Sequence, residues 1–384
     1  MSTADATAQR VASLRDLAAA HPNGIIDCNI GTPCDPVPNF VKAAVSDAVG
    51  ASGPYPLSAG SPAYRGAGAE WMNRRFGLAV EPEAVAACVG TKEFVASLPQ
   101  YLNMLGRRNG AAGRDTVLYP AIAYPTYAFG AQFAGCRAVA VPLDQHWQLD
   151  LNAISEADAR RATVLWINVP GNPTSATASV EVLRAAAEWG RAHGVIVVSD
   201  ECYVEFAPDA HSILECGSDG VLALHSLSKR SNFAGMRNGL YAGDPALVQQ
   251  LVQLRREAGL IVPTPAQAAA VAAWSDDEHV GEQRARYERR RAFVLDRLAA
   301  HGIEHVGGSM PFYIWLSVTD EAADRFNARD GFDLAARFAE VGWLTAPGAT
   351  FGTTGTPYVR IAMVQPDDVL LTALDRFDAC FAAR

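Results

Sequence analysis

Basic charge, long apolar runs and paired cysteines are all scarce in this 384-residue chain. Thirty-two Lys and Arg stand against 41 Asp and Glu, a formal net charge of −9. A nucleic-acid partner would call for a basic stripe or patch to neutralise phosphates, and the acidic balance argues against one. No apolar run approaches the roughly 20 residues that cross a bilayer. The opening stretch MSTADATAQRVASLRDLAAAHPNG has no apolar signal core and reads as a loose start followed by a short helix. The seven cysteines (Cys28, Cys34, Cys88, Cys136, Cys202, Cys216 and Cys380) are scattered, odd in number and free of any C-x-x-C pair. That pattern sets aside metal and disulfide frameworks and fits a reducing cytoplasm, with most thiols acting as small buried hydrophobes.

What is present is globular: 49% hydrophobic and 19% charged residues. The length predicts one large domain with a smaller companion. Short apolar runs at 116–120, 137–142, 162–170, 194–201 and 220–226 read as strands, and their continuous Val/Leu/Ile character predicts burial on both faces. Between the third and fourth runs, VEVLRAAAEWGRAHG reads as a helix capped by Ser179 and closed by Gly194. This rhythm predicts a largely parallel α/β unit whose ligands sit beyond the carboxyl ends of the strands. After Pro245 the pattern turns helical, with a charged helix near 276–300 whose Arg/Glu run reads as a solvated, salt-bridged face. A strand at 310–318, a helix near 332–341 and a strand at 358–363 complete a smaller α+β unit. We therefore expect a large domain over 46–275 and a small one over 276–384, with residues 1–45 joining the latter.

Chemistry concentrates in HSLSKRSNFAGMRNG (225–239). A lysine that forms an imine with a pyridoxal cofactor needs a phosphate cradle nearby. Ser226 and Arg237 flank Lys229 and can supply it, because a guanidinium meets phosphate oxygens in a forked, charge-assisted geometry. The spacing resembles the S-x-S-K-x-x-x-x-x-G-x-R signature of class I/II aminotransferases, the fold-type-I enzymes dependent on pyridoxal 5′-phosphate. Further segments carry the resemblance in the same order: GTKEFVASLP (90–99), PAIAYPTYAFG (120–130), NVPGNPTSA (168–176), SDECY (199–203) and the PYVRIA strand that ends APGATFGTTGTPYVRIA (346–362).

The resemblance implies a large domain with a mostly parallel seven-stranded sheet covered by helices, plus a small α+β domain. It implies roles residue by residue. Lys229 binds the cofactor and moves the proton; Asp200 pairs with the pyridinium nitrogen and makes the ring an electron sink. Tyr203 and Asn172 meet the ring oxygen, and Tyr124 stacks on the ring. Gly90, Thr91 and Lys92 at a helix start, with Ser226 and Arg237, hold the phosphate; Lys92 pointing to a substrate carboxylate is an open alternative. Arg360 takes the substrate α-carboxylate, with Asn172 beside it and the backbone of Gly31 assisting. Tyr55 in GPYPLSAGSPAYR reaches the phosphate of a neighbouring subunit, which implies a homodimer with shared sites.

A closer similarity, to actinobacterial N-succinyldiaminopimelate aminotransferases of lysine biosynthesis, rests on GTPCDPVP, GTKEFVASLP, AYPTY, VVSDECY, HSLSKRSNFAG and DDEHVGEQRARYERRR. The chain departs from the pattern at Tyr64, where a Leu-Arg pair is usual, and at Asn238, where Ala or Val follows the phosphate arginine. A different amino acid substrate, or a lyase or cyclase of the same fold, stays open at this point.

Overall fold

The computed structural model describes residues 3–108 and 113–381. A seven-stranded sheet organises it, in the order Val85–Cys88, Gly239–Gly243, Val221–Ser226, Ile196–Asp200, Ala162–Asn168, Thr116–Pro120, Arg137–Val141. The last five run parallel, whereas Gly239–Gly243 is antiparallel to both of its neighbours. Sequence reading did not anticipate Gly239–Gly243 or Val85–Cys88 as strands. GLYAG is bounded by glycines, and VAAC is too short and too poor in β-branched residues to declare itself.

Some expectations need correcting. Arg137–Val141 is not covered on both faces; it is the edge strand, with three of its five residues exposed. The central strands Ala162–Asn168, Ile196–Asp200 and Val221–Ser226 are buried almost throughout, as predicted. The helix Val180–His193 between two of them starts at Ser179, whose hydroxyl accepts from the Val182 amide. It ends at Gly194 with φ +61°. The N-terminus is also not a short helix: it forms the 17-residue Thr3–Ala19. The Arg10 guanidinium there lies 3.7 Å above the Phe332 ring.

A second, four-stranded antiparallel sheet carries Ala346–Pro347, Val359–Ala362, Tyr313–Val318 and Ile303–His305. The N-terminal Ile26–Asp27 pairs in parallel with Trp343–Leu344, which ties the beginning of the chain to this later part. The two sheets meet at the 168–176 turn. Gly308 and Met310 donate backbone bonds to the carbonyls of Thr174 and Ser175, and the Ser175 hydroxyl donates to the Tyr313 carbonyl at 2.8 Å.

The charged helix Glu278–Ala299 departs from the expected solvated face at Arg290. That side chain is buried and forks onto both oxygens of Asp35 at 2.7 Å, with a further bond to Asp367. Burial works against ionisation of Asp35, yet the Arg290 and Gln283 hydrogen bonds hold its carboxyl below the usual range. The consequence is positional: Asp35 anchors the loop that carries Gly31. Arg284–Glu288 and Arg286–Glu282 on the same helix are the surface pairs that were expected.

Close packing of Val180–His193 on the sheet depends on Gly190. A Cβ there would stand 2.4 Å from Val197 Cγ2 and 2.8 Å from the Val195 carbonyl. Alanine is the better helix former by about 1 kcal/mol, but forcing a methyl into a filled core costs about 1–3 kcal/mol. Gly190→Ala should therefore lower stability in denaturant unfolding, and an increase would show that the helix can lift off without loss.

Candidate active site

Strand Val221–Ser226 ends in a single helical turn, Leu227–Arg230, whose first amides bend the chain sharply. Ser226 caps that turn by accepting from the Ser228 N–H at 3.1 Å. Lys229 is thereby thrown into the space beyond the sheet, where its amine donates to the Gly31 carbonyl and lies 5.7 Å above the Phe312 ring. Burial, reinforced by the nearby charges of Arg360 and Arg237, pushes the Lys229 pKa down to about 8. The next residue, Arg230, faces the opposite way and is saturated. It bonds Glu205 at 3.1 Å, Asp277 at 3.0 Å and the Ala273 carbonyl, with its guanidinium near the rings of Trp71 and Trp274. Arg230 acts as the anchor that fixes the lysine's backbone.

Asp200 is the last residue of Ile196–Asp200 and is 7% exposed. Its carboxylate accepts from the Tyr127 hydroxyl at 2.8 Å and the Cys202 N–H at 3.3 Å, both neutral donors. Burial therefore raises its pKa. A cation placed against it would reverse that shift. Three residues on, the Tyr203 hydroxyl meets the Tyr313 hydroxyl at 2.9 Å.

Arg360 lies on Val359–Ala362, in the smaller sheet. It donates to Asn172 Oδ1 at 2.8 Å and to the Asn29 carbonyl, between the rings of Tyr313 and Phe351 at 4.3 and 4.7 Å. The Asn172 turn is itself fixed by Asn168, which accepts from the Asn172 N–H at 2.8 Å and donates to the Asp200 carbonyl at 2.9 Å.

Helix Thr91–Arg108 begins at Gly90, whose φ is +75°. A Cβ at Gly90 would come within 2.3 Å of Arg237 Nη2, so only glycine leaves the guanidinium its place over the helix start. Arg237 is exposed, in the left-handed region at φ +50°, and donates to the Ala234 carbonyl at 2.9 Å. Thr91 meets the Cys202 sulfur at 3.2 Å, and the exposed Lys92 amine stands 5.8 Å from the Tyr124 ring centre.

All the sequence-derived candidates except Gly90 and Tyr55 line one cavity of about 510 Å³. Gly90 sits directly behind Arg237. Tyr55 lies elsewhere, 96% exposed. Sequence reading missed Tyr127, Asn168, Cys202, Tyr313 and Phe351. Tyr127 follows Tyr124 by three positions at the start of Thr126–Phe133, and that spacing was the available signal. Tyr313 carried none, since a tyrosine in an apolar strand reads as core.

Pyridoxal phosphate fits this donor set. Among the described residues the buried Asp200 has no cationic partner, the Gly90–Arg237 arrangement leaves a basic concavity at a helix start, and Lys229 stands between them. The family model for aminotransferase class I and II matches residues 23–377. The chain is 40% identical over 368 residues to the 4-dedimethylamino-4-oxo-anhydrotetracycline transaminase OxyQ of Streptomyces rimosus, a match covering 94% of both chains. It is 36% identical over 372 residues to an LL-diaminopimelate aminotransferase of Desulforudis audaxviator, covering 93% of this chain and 90% of that one. Among solved structures, a protein of Thermus thermophilus described as a probable N-succinyldiaminopimelate aminotransferase superposes with a TM-score of 0.83. That match has 27% identity and covers 98% of this chain and 100% of the other.

Tyr127→Phe removes a buried donor to Asp200 and makes its charge harder to hold. A hydrogen bond to a charged group is worth about 1.5–3 kcal/mol, so affinity for pyridoxal phosphate should fall roughly tenfold or more in equilibrium titration. Unchanged affinity would mean that the Tyr127 bond contributes nothing to the ring site.

Proposed function

The chain belongs to the class I and II aminotransferases, and from that premise we propose that it exchanges an amino group between glutamate/2-oxoglutarate and N-succinyl-LL-diaminopimelate. Family membership makes it a transaminase dependent on pyridoxal phosphate. The observation that carries the reading of the site is the convergence on one cavity of Asp200 at a strand end, Lys229 in the turn after the next strand, and Arg360 from within a strand of the smaller sheet.

When bound, pyridoxal phosphate supplies the aldehyde that captures an amino group and a ring that takes up the electron pair left by the departing α-proton. The protein's residues do the rest. Arg237, the Gly90–Thr91 amides, Ser226 and Lys92 hold the phosphate. Asp200 would keep the ring nitrogen protonated, Tyr203 and Asn172 would hydrogen-bond the ring oxygen, and Tyr124 would cover a ring face. Arg360, fixed between Tyr313 and Phe351, receives the α-carboxylate with the Gly31 backbone and Asn172 beside it. That fork holds the donor so that its α-proton faces the Lys229 amine. Lys229, its amine freed, would take that proton from the substrate α-carbon as general base and would give it, as general acid, to the carbon that had been the cofactor's aldehyde.

The substrate assignment draws on the names of the diaminopimelate relatives and on the segments quoted above. A second reading has its own support: the 40% identical transaminase is named for an oxo-anhydrotetracycline substrate, which points to a bulkier ketone acceptor. Homodimerisation belongs to the same proposal. It is supported by Tyr55, fully displayed beside the exposed Leu57 and outside its own chain's cavity. So does the division into 46–275 and 276–384 with 1–45 joining the latter, supported by the pairing of Ile26–Asp27 with Trp343–Leu344.

Three outcomes test this account. The Lys229 amine is protonated below about pH 8 and free above it. Capture of pyridoxal phosphate should therefore accelerate as pH rises and level off just above 8, well before an exposed lysine would; a rate still climbing past pH 10 would refute the depressed amine. Lys229→Ala should lower turnover by at least about 10³-fold, and full activity would remove it from the chemistry. Single-turnover mixing with a panel of amino acids should yield pyridoxamine phosphate with glutamate and with N-succinyl-LL-diaminopimelate. Reaction only with a cyclic aminoketone pair would favour the second reading, and ammonia release without pyridoxamine phosphate would mean a lyase.

A further inference from the structure

We infer that Tyr64 and Asn238, two of the positions where the sequence leaves the family pattern, form one device that positions Arg237 for the cofactor phosphate. This rests on the reading that Arg237 meets that phosphate. Both side chains are wholly buried, although they stand 174 residues apart. The Tyr64 hydroxyl is 2.8 Å from Asn238 Oδ1 and 2.6 Å from the Gly239 carbonyl. The Asn238 amide donates its other end to the Ala266 carbonyl at 2.7 Å. That bond fixes which end of the amide faces Tyr64, so residue 238 cannot turn without breaking two buried hydrogen bonds.

Arg237 is the residue next in line. It occupies the left-handed region at φ +50°, which a residue with a Cβ adopts only when its surroundings hold it there. Its guanidinium is exposed and has one backbone acceptor of its own, the Ala234 carbonyl, so the side chain does not enforce that conformation. The buried amide on its C-terminal side does. The tolerance is small, because the guanidinium must pass over Gly90, where even a methyl group would collide with it. Tyr64 connects the same device to the segment bearing Tyr55: Tyr64 lies in the first turn of Pro62–Phe76, and the preceding Ser61 N–H donates to Gln267 at 2.7 Å. Gln267 and Ala266 are neighbours on Thr264–Trp274, so one helix receives both ends of the connection. Asn238 therefore points away from the cavity and does not shape the substrate pocket directly.

The test compares two ligands that differ only in the phosphate, pyridoxal 5′-phosphate and pyridoxal, by equilibrium titration of the full chain. Tyr64→Phe keeps the ring and its packing and removes only the hydroxyl; Asn238→Ala removes the amide. Each should weaken pyridoxal phosphate roughly tenfold, which is about 1.4 kcal/mol, and change pyridoxal by less than about twofold. The double variant should be no worse than the more severe single one, because the pair acts as a unit. Equal weakening of both ligands would reduce the pair to general stability and overturn the inference, as would no weakening in Tyr64→Phe. If Asn238→Ala does not fold, Tyr64→Phe decides alone. Arg237→Ala is the control: if it preserves the preference for the phosphorylated ligand, the assignment of Arg237 falls, and this inference with it.

Discussion

Placing an amine among cations, with no counter-ion among the described residues, is the constraint around which the cavity is built. Lys229 has Arg237 and Arg360 as its charged neighbours, and a backbone carbonyl, that of Gly31, as its acceptor. Neither arginine meets a carboxylate among the described residues: Arg360 is held by an amide oxygen and a carbonyl, and Arg237 by a carbonyl. Two anions are thus needed, and the proposed phosphate and α-carboxylate supply them. Glu205 and Asp277 lie on the other side of the lysine, where they saturate Arg230. The mirror condition holds at Asp200, a buried acid with neutral donors that a ring cation would satisfy. Each unsatisfied charge is complementary to one part of pyridoxal phosphate or of an amino acid.

Such an arrangement persists only if its members are fixed from outside, since like charges would otherwise move apart. The fixing comes from elements far apart in sequence. Arg290 grips Asp35 and with it the loop of Gly31. The 168–176 turn is bonded to 308–313 of the other sheet, so Asn172 and Arg360 are set in one frame. Asn168 ties that turn to the end of the Asp200 strand. The site is a junction of two sheets: the larger presents Asp200 and Lys229 at its strand ends, and the smaller presents Arg360 from within a strand.

Much of this was legible in the sequence because local constraints mark themselves. Lys229 with Ser226, Asp200 at the end of a Val/Ile run, and Gly90 before a helix announce their positions by spacing. The Ser179 and Gly194 caps were read at their residues. What escaped was set by pairings between distant segments. GLYAG becomes a strand because two neighbours supply its hydrogen bonds, and RAVAV is exposed because it has one neighbour instead of two. Tyr313 and Tyr127 join the site through contacts 110 and 73 residues away. Asn238 shows in the sequence only as a departure beside the phosphate arginine, and its buried bond to Tyr64 reveals it facing away. The cavity as a whole was illegible for the same reason, since its lining draws on segments from Asn29 to Arg360.

The central claim is that one amine, that of Lys229, forms the covalent link to the cofactor. Borohydride reduction of the protein loaded with pyridoxal phosphate, followed by proteolysis and mass spectrometry, reads this directly. The account predicts a single phosphopyridoxyl adduct, on the peptide containing Lys229. An adduct on Lys92 or Lys42 in its place, or a protein that binds the cofactor and yields no adduct, would contradict it.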